Sequence, residues 1–229
     1  MVSDRMASIQ ESTTLKVSAM AKRLAASGQD IIDMGVGEPD FDTPKHIVEA
    51  GCSSIKMGET RYAPTAGIPE LRRVIADKLC WENQLSVTAD DVAVTPGAKM
   101  AVFAAIQAML CEGDECLLMG PSWVSYEPCI SFAGGRAAWG AVDEDFMPAN
   151  LAESISSRTK LIIVNSPSNP TGAVFDRRVL EEIRDLAVDH NISVISDEIY
   201  EKIIYDRQHI SIGSLPGMEE RTVTINGFS

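Results

Sequence analysis

The sequence lacks the cysteine pattern of a metal or redox site. Its 229 residues include 5 cysteines, at 52, 80, 111, 116 and 129, with no CxxC among them. The best-spaced pair, Cys111 with Cys116, has no histidine nearby. An odd set without a framework reads as reduced, structural thiols in a cytosolic protein. Residues 1–15 are polar and carry no apolar core of a signal peptide. The longest apolar stretch, 100–110, is interrupted by Gln107 and is too short to cross a bilayer. Positive charge is scarce: Lys+Arg number 20 against 33 Asp+Glu, a net charge of −13. That balance argues against nucleic acid and anionic membrane surfaces, while leaving room for a local basic pocket. The GxxxxGK[ST] phosphate loop is absent. Gly35-Val36-Gly37 meets Asp40 where a dinucleotide fingerprint needs its third glycine. The three histidines, His46, His190 and His209, match no motif and read as structural or surface residues.

What is present is a globular composition with no repeat or low-complexity block. Hydrophobic residues make up 45% and charged residues 23%, which excludes disordered and fibrous classes. The length allows one large or two modest domains. Residues 15–26 have helical spacing and stop at Gly28. A short apolar piece at 30–34 runs into the turn-rich segment 35–40. Helices are predicted at 45–57, behind Pro44, and at 69–82, with Leu71, Val74, Ile75 and Leu79 on one face. Strand and helix then alternate. Strands are predicted at 92–95, 115–119, 136–139, 161–164, 192–195 and 222–225, and helices at 97–111, 124–132 and 177–190. That order predicts a parallel α/β sheet. Strand 161–164 is apolar throughout, as strands covered on both faces are.

Function in such sheets gathers in the loops beyond the strands' carboxyl ends. Four loops stand out. Thr95-Pro96-Gly97-Ala98-Lys99 opens a helix with small residues, so backbone N–H groups and the helix dipole can meet an anion. Asn165 to Gly172 is a stiff, polar loop with two X-Pro bonds, suited to aiming an amide side chain. Ser196-Asp197-Glu198-Ile199-Tyr200 places Asp197 where an apolar strand ends. Its carboxylate is expected to be partly buried and to need a cationic or hydrogen-bonding partner, while Glu198 and Glu201 read as solvated. The last loop, 225–229, closes the sequence. Taken singly, each loop is also an ordinary turn, and Trp123 is also an ordinary core aromatic.

In this order the stretches GVGEPDFDTP (35–44), RYAPTAGIPELR (61–72), TPGAK (95–99), GPSWVSY (120–126), NSPSNPTGAV (165–174), SDEIYE (196–201) and TINGFS (224–229) resemble the fold type I pyridoxal 5'-phosphate (PLP) enzymes. They are most similar to class I aminotransferases of the bacterial aspartate aminotransferase type, over essentially the whole chain. The resemblance implies an α/β PLP-transferase fold. Its sheet is mostly parallel and seven-stranded, with the last strand missing here, flanked by helices and joined to part of a small domain. It implies an N-terminal arm at 1–14, a small-domain segment at 15–44 and an incomplete large PLP-binding domain at 45–229. Gly97, Ala98 and Lys99 would hold the cofactor phosphate through backbone groups. Trp123 would stack on the pyridine ring, Asn169 and Tyr200 would hydrogen-bond the phenolic oxygen, and Asp197 would pair with the ring nitrogen. Tyr62 would reach a neighbouring subunit's phosphate, implying a homodimer. Gly37, with Trp123 and Asn169, would line the substrate site.

The Schiff-base lysine of such enzymes would follow Ser229, and neither Lys99 nor Lys202 stands at that place. The chain therefore reads as the N-terminal part of a cytoplasmic aminotransferase, poorly soluble and nearly inactive by itself. The implied substrates are an amino acid, aspartate for preference, and a 2-oxo acid such as 2-oxoglutarate. Gln10 stands near where prephenate-active relatives carry a lysine, which leans away from prephenate. Two alternatives accompany this reading: a PLP-dependent lyase or synthase of the same fold, and a non-catalytic truncated product.

Overall fold

Short runs of β-branched and aliphatic residues, each separated by a helix or long loop, build the sheet. The computed structural model describes residues 3, 6, 9, 13–35, 37 and 39–228. The arm read at 1–14 lies mostly outside them, as do Gln10, Val36, Glu38 and Ser229. The strands are β1 (Glu115–Met119), β2 (Arg136–Gly140), β3 (Thr159–Asn165), β4 (Ser193–Asp197) and β5 (Thr222–Ile225). They form one parallel sheet in the order β2-β1-β3-β4-β5.

The chain divides into two units, one built on residues 66–229 and one on 10–65. The second unit carries α1 (Thr13–Ala26) and α2 (Lys45–Lys56), and α2 buries none of its residues. The first unit carries α3 (Pro69–Glu82), α4 (Ala98–Met109), α5 (Tyr126–Phe132) and α6 (Arg177–Asp189) as well as the sheet. Pro69 occupies the first turn of α3, where its missing N–H costs nothing. Asp176 caps α6 by accepting from the Val179 N–H at 2.9 Å. Val179, Leu180, Ile183 and Ala187 then fall on the buried stripe of α6.

Strand β3 shows why the sheet is covered on both sides. Leu161 and Ile163 pack into a cluster with Val102 and Ile106 of α4 and Ile130 of α5. Ile162 and Val164, pointing the other way, pack with Val179, Leu180 and Ile183 of α6. All four are essentially inaccessible to solvent.

One expected strand does not form. Residues 92–95 are irregular, so the described residues hold five strands where the sequence pattern suggested six. Their backbone is committed elsewhere. The Val94 N–H donates to the Ala66 carbonyl at 2.9 Å, and the Val92 carbonyl accepts from Arg72 Nε at 2.8 Å. A strand exists only through a neighbour's ladder, and side-chain pattern alone does not supply one. The helix expected from 124 begins at Tyr126, after an exposed Val124.

Ile162, central in β3 and fully buried, gives the simplest test of this packing. Ile162→Ala is expected to lower the unfolding free energy by about 2–5 kcal/mol, read from urea denaturation.

Candidate active site

The C-terminal ends of β3 and β4 meet in register, with Asn165 opposite Asp197. Asp197 is 3% exposed, the last residue of an apolar strand. Its Oδ2 accepts from the Tyr126 hydroxyl at 2.6 Å, and its Oδ1 accepts from the Ile199 N–H at 3.3 Å. Both partners are neutral. No cation among the described residues pairs with it. Burial pushes the Asp197 carboxyl above the usual aspartate range. The Tyr126 hydroxyl and the Ile199 N–H pull it back, and the neighbouring Glu198 charge raises it further. Burial also raises the Tyr126 phenol, helped by the adjacent Asp197 charge, so Tyr126 stays protonated and donates.

Asn165 ties two loops together. Its Nδ2 donates to the Asp197 carbonyl at 3.1 Å, and its Oδ1 accepts from the Asn169 N–H at 2.8 Å. That second bond orients Asn169, whose Nδ2 reaches the Tyr200 hydroxyl at 3.4 Å. Asn169, Tyr200 and Asp197 are thus brought to one end of the sheet.

At the start of α4, Gly97 adopts φ +81°, and no side chain caps the helix. A Cβ added there would meet nothing within 4 Å. The Met100 and Ala101 N–H groups turn back to the Gly97 carbonyl. The N–H groups of Ala98 and Lys99 have no intrahelical acceptor and lie at the positive end of the helix dipole. The exposed Lys99 extends its ammonium over the Trp123 ring, 5.2 Å from the centroid. Trp123 is half-buried and meets the Tyr126 ring edge-on, with centroids 5.3 Å apart at 84°. Tyr126 therefore joins the aromatic platform to the buried carboxylate. Tyr62 and Gly37 belong to the unit of residues 10–65, and both are exposed.

Two acidic residues expected to be solvated are not. Glu198 is 1% exposed and the Glu201 side chain 7%. Burial pushes the Glu201 carboxyl up, but bonds from Lys78 and Asn83 outweigh it and hold the group low. His209, read as structural or surface, joins this cluster through Nε2, 2.8 Å from Glu198 Oε2. Lys202 lies on the surface, bonded to Glu82 at 2.6 Å. All five cysteines are free; only Cys116 and Cys129 lie in the apolar core, while Cys52, Cys80 and Cys111 are exposed.

Sequence reasoning missed Tyr126 and Asn165. Tyr126 stands inside the GPSWVSY stretch, and Asn165 ends an apolar strand at the level of Asp197. Polar residues capping apolar parallel strands were the available signal.

The parallel sheet, covered by helices on both faces, thus carries free N–H groups at the start of α4, a half-buried indole and a buried carboxylate. Comparison with known proteins identifies the family. The family model "Aminotransferase class I and II" matches residues 29–229, so the chain belongs to that family. It is similar to the aspartate/prephenate aminotransferase of Thermus thermophilus, 44% identical over 99% of this chain and 59% of the relative. The aspartate aminotransferase of Bacillus subtilis is 39% identical over 98% of this chain and 59% of the relative. The solved structure of the Thermus thermophilus aspartate aminotransferase with maleate superposes with a TM-score of 0.97 at 43% identity, covering all of this chain and 60% of that one. The chain therefore spans about 59% of the length of the curated relatives it matches. Among the described residues no helix is long and apolar enough to cross a membrane.

The raised Asp197 carboxyl has a stability consequence. A group whose folded pKa lies above its unfolded value binds more protons folded than unfolded between the two values. Its contribution therefore falls as pH rises through that window, upward from the ordinary aspartate value of 3.8. Asp197→Asn removes this term. The stability of the natural protein relative to the Asn variant is expected to fall as pH rises through that window, measured by urea unfolding across pH without cofactor.

Proposed function

We propose that this chain supplies the PLP-binding part of an aminotransferase that moves an amino group from an amino acid to a 2-oxo acid. The observation that carries the reading is Asp197: a buried carboxylate whose partners are neutral fits a cationic ligand atom and is costly without one. A protonated pyridine nitrogen is such an atom. PLP supplies an electron sink that deepens when its ring nitrogen carries a proton.

The chain's own residues then divide the work. Asp197 holds a proton on the ring nitrogen by charge pairing. Tyr126 fixes the direction of that carboxylate and opposes its neutralisation. Trp123 offers its indole face to the ring, which displaces the Lys99 ammonium from it or shares the platform with it. Asn169 and Tyr200 donate to the phenolic oxygen, and Asn165 holds Asn169 in place. Gly97, Ala98 and Lys99 present backbone groups to the phosphate. Gly37, Trp123 and Asn169 are proposed for the substrate, with Gly37 at its α-carboxylate, and Tyr62 for the phosphate of a second subunit in a cytoplasmic homodimer. Residues 45–229 are proposed as the contribution to the large domain, behind a small-domain segment at 15–44.

Aspartate as amino donor is supported by the names of the Thermus and Bacillus relatives, and 2-oxoglutarate is proposed as the 2-oxo acid acceptor. Solved structures named as alanine and aromatic aminotransferases, from Pyrococcus furiosus and Pyrococcus horikoshii, also superpose, with TM-scores of 0.90 and 0.85. Activity is therefore to be compared with aspartate, alanine, phenylalanine and prephenate as partners, in the full gene product that carries this chain. The expected order puts aspartate with 2-oxoglutarate first.

The cofactor reading is tested by PLP binding at equilibrium. Asp197→Ala removes a charge-assisted contact, so PLP is expected to bind about 10–100-fold more weakly. Unchanged affinity in the folded variant would remove Asp197 from the cofactor's partners.

A further inference from the structure

Behind Asp197 lies a second buried carboxylate that the proposed chemistry does not use. Glu198 Oε1 accepts from the Ser196 hydroxyl at 2.8 Å and the Ser211 hydroxyl at 2.7 Å. Its Oε2 accepts from Asn83 Nδ2 at 2.9 Å and His209 Nε2 at 2.8 Å. An ionised carboxylate offers about four lone-pair sites, and here all are filled. The donors come from three places: the end of β4, the residue after α3, and the loop before β5. Glu201 extends the cluster by accepting from Asn83 Nδ2 at 2.6 Å and from Lys78. Glu198, Glu201 and His209 bring their ligand atoms within 4.8 Å of one another. The carboxylate oxygens of this group are already engaged by hydrogen-bond donors and by the Lys78 ammonium.

The position of this lock is what matters. Ser196 and Glu198 bond to each other at i and i+2, so they share one side of the chain, and Asp197 projects from the other. The Glu198 N–H donates to the Ile225 carbonyl at 2.8 Å, and the Asp197 carbonyl accepts from Asn165. The peptide unit that follows the Asp197 Cα is therefore held from both neighbouring strands, by Asn165 of β3 and Ile225 of β5.

We propose that Glu198 is a positioning residue: its closed hydrogen-bond cluster fixes the turn after β4 and so aims the Asp197 carboxylate at the pyridine nitrogen. This rests on the reading of Asp197 as the partner of that nitrogen. A carboxylate preorganised in this way loses no orientational freedom when the ligand arrives.

Three variants of the full protein test it: Glu198→Ala, Glu198→Gln and Asn83→Ala, with Asp197→Ala as reference. Glutamine is the rescue. Its amide oxygen can accept from Asn83 and His209, and its NH2 can donate to the two serine hydroxyls, which rotate to accept. Asn83→Ala unties Glu198 from α3 without touching residues 196–199, and stands in if Glu198→Ala does not fold. Two readouts are taken: PLP affinity by equilibrium dialysis under conditions where near-ultraviolet circular dichroism shows a folded chain, and the urea midpoint without PLP. The expected result is PLP affinity about tenfold weaker in Glu198→Ala, weakened in the same direction in Asn83→Ala, and close to the natural value in Glu198→Gln. A lowered urea midpoint with natural PLP affinity in both alanine variants overturns the proposal and makes the cluster a stability element only. If Asp197→Ala also binds PLP as tightly as the natural protein, the cofactor reading of Asp197 falls first and takes this one with it.

Discussion

The structure depends on a carboxylate placed where carboxylates are expensive. Asp197 ends an apolar strand, out of reach of solvent, with only a phenol and a backbone N–H for company. Neutral hydrogen bonds reduce the cost of burying that group, yet a cation would satisfy it better. Much of the surrounding architecture serves this arrangement. Tyr126 sits at the first turn of α5, almost fully buried, with its hydroxyl delivered to Asp197 and its ring edge against Trp123. Asn165 closes β3 beside it and passes the order on to Asn169.

The sheet makes that placement reproducible. Parallel strands covered by helices on both faces leave their carboxyl ends as the natural place for polar groups to gather. In β3 the alternation of Leu161 and Ile163 with Ile162 and Val164 anchors the strand into two separate apolar clusters. A rigid strand of this kind carries its terminal residue to a fixed point. The free N–H groups at the start of α4 and the carboxylate of Asp197 at the end of β4 are the two groups that the proposed cofactor reading assigns to a phosphate and a ring nitrogen.

The α/β rhythm was legible because helical and strand periods differ and because glycine and proline mark the breaks. Strands 115–119 and 222–225 and helix 69–82 appear with the bounds their patterns suggest. Segment 92–95 has the same composition as a strand, but strand formation is a property of pairs, and its hydrogen bonds go to Ala66 and Arg72. Asp197 was legible as a carboxylate placed where an apolar strand ends, whereas Asn169 and Tyr200 were singled out through the family resemblance. Glu198 was not. An acidic residue in a loop reads as solvated unless its partners are visible, and Asn83 stands 115 residues away in sequence. His209 and Ser211 were silent for the same reason: each acts through a residue the local pattern does not connect to it. Tyr126 was present in a recognisable stretch, yet its hydrogen bond crosses 71 residues and has no sequence signature.

The account turns on whether Asp197 meets a protonated ring nitrogen. The most direct measurement is the 15N resonance of PLP labelled at its pyridine nitrogen, bound to the full protein at neutral to mildly alkaline pH. The account predicts a protonated nitrogen, and loss of that proton in the Asp197→Ala protein. An unprotonated nitrogen in the natural protein, or one indifferent to Asp197, would contradict it.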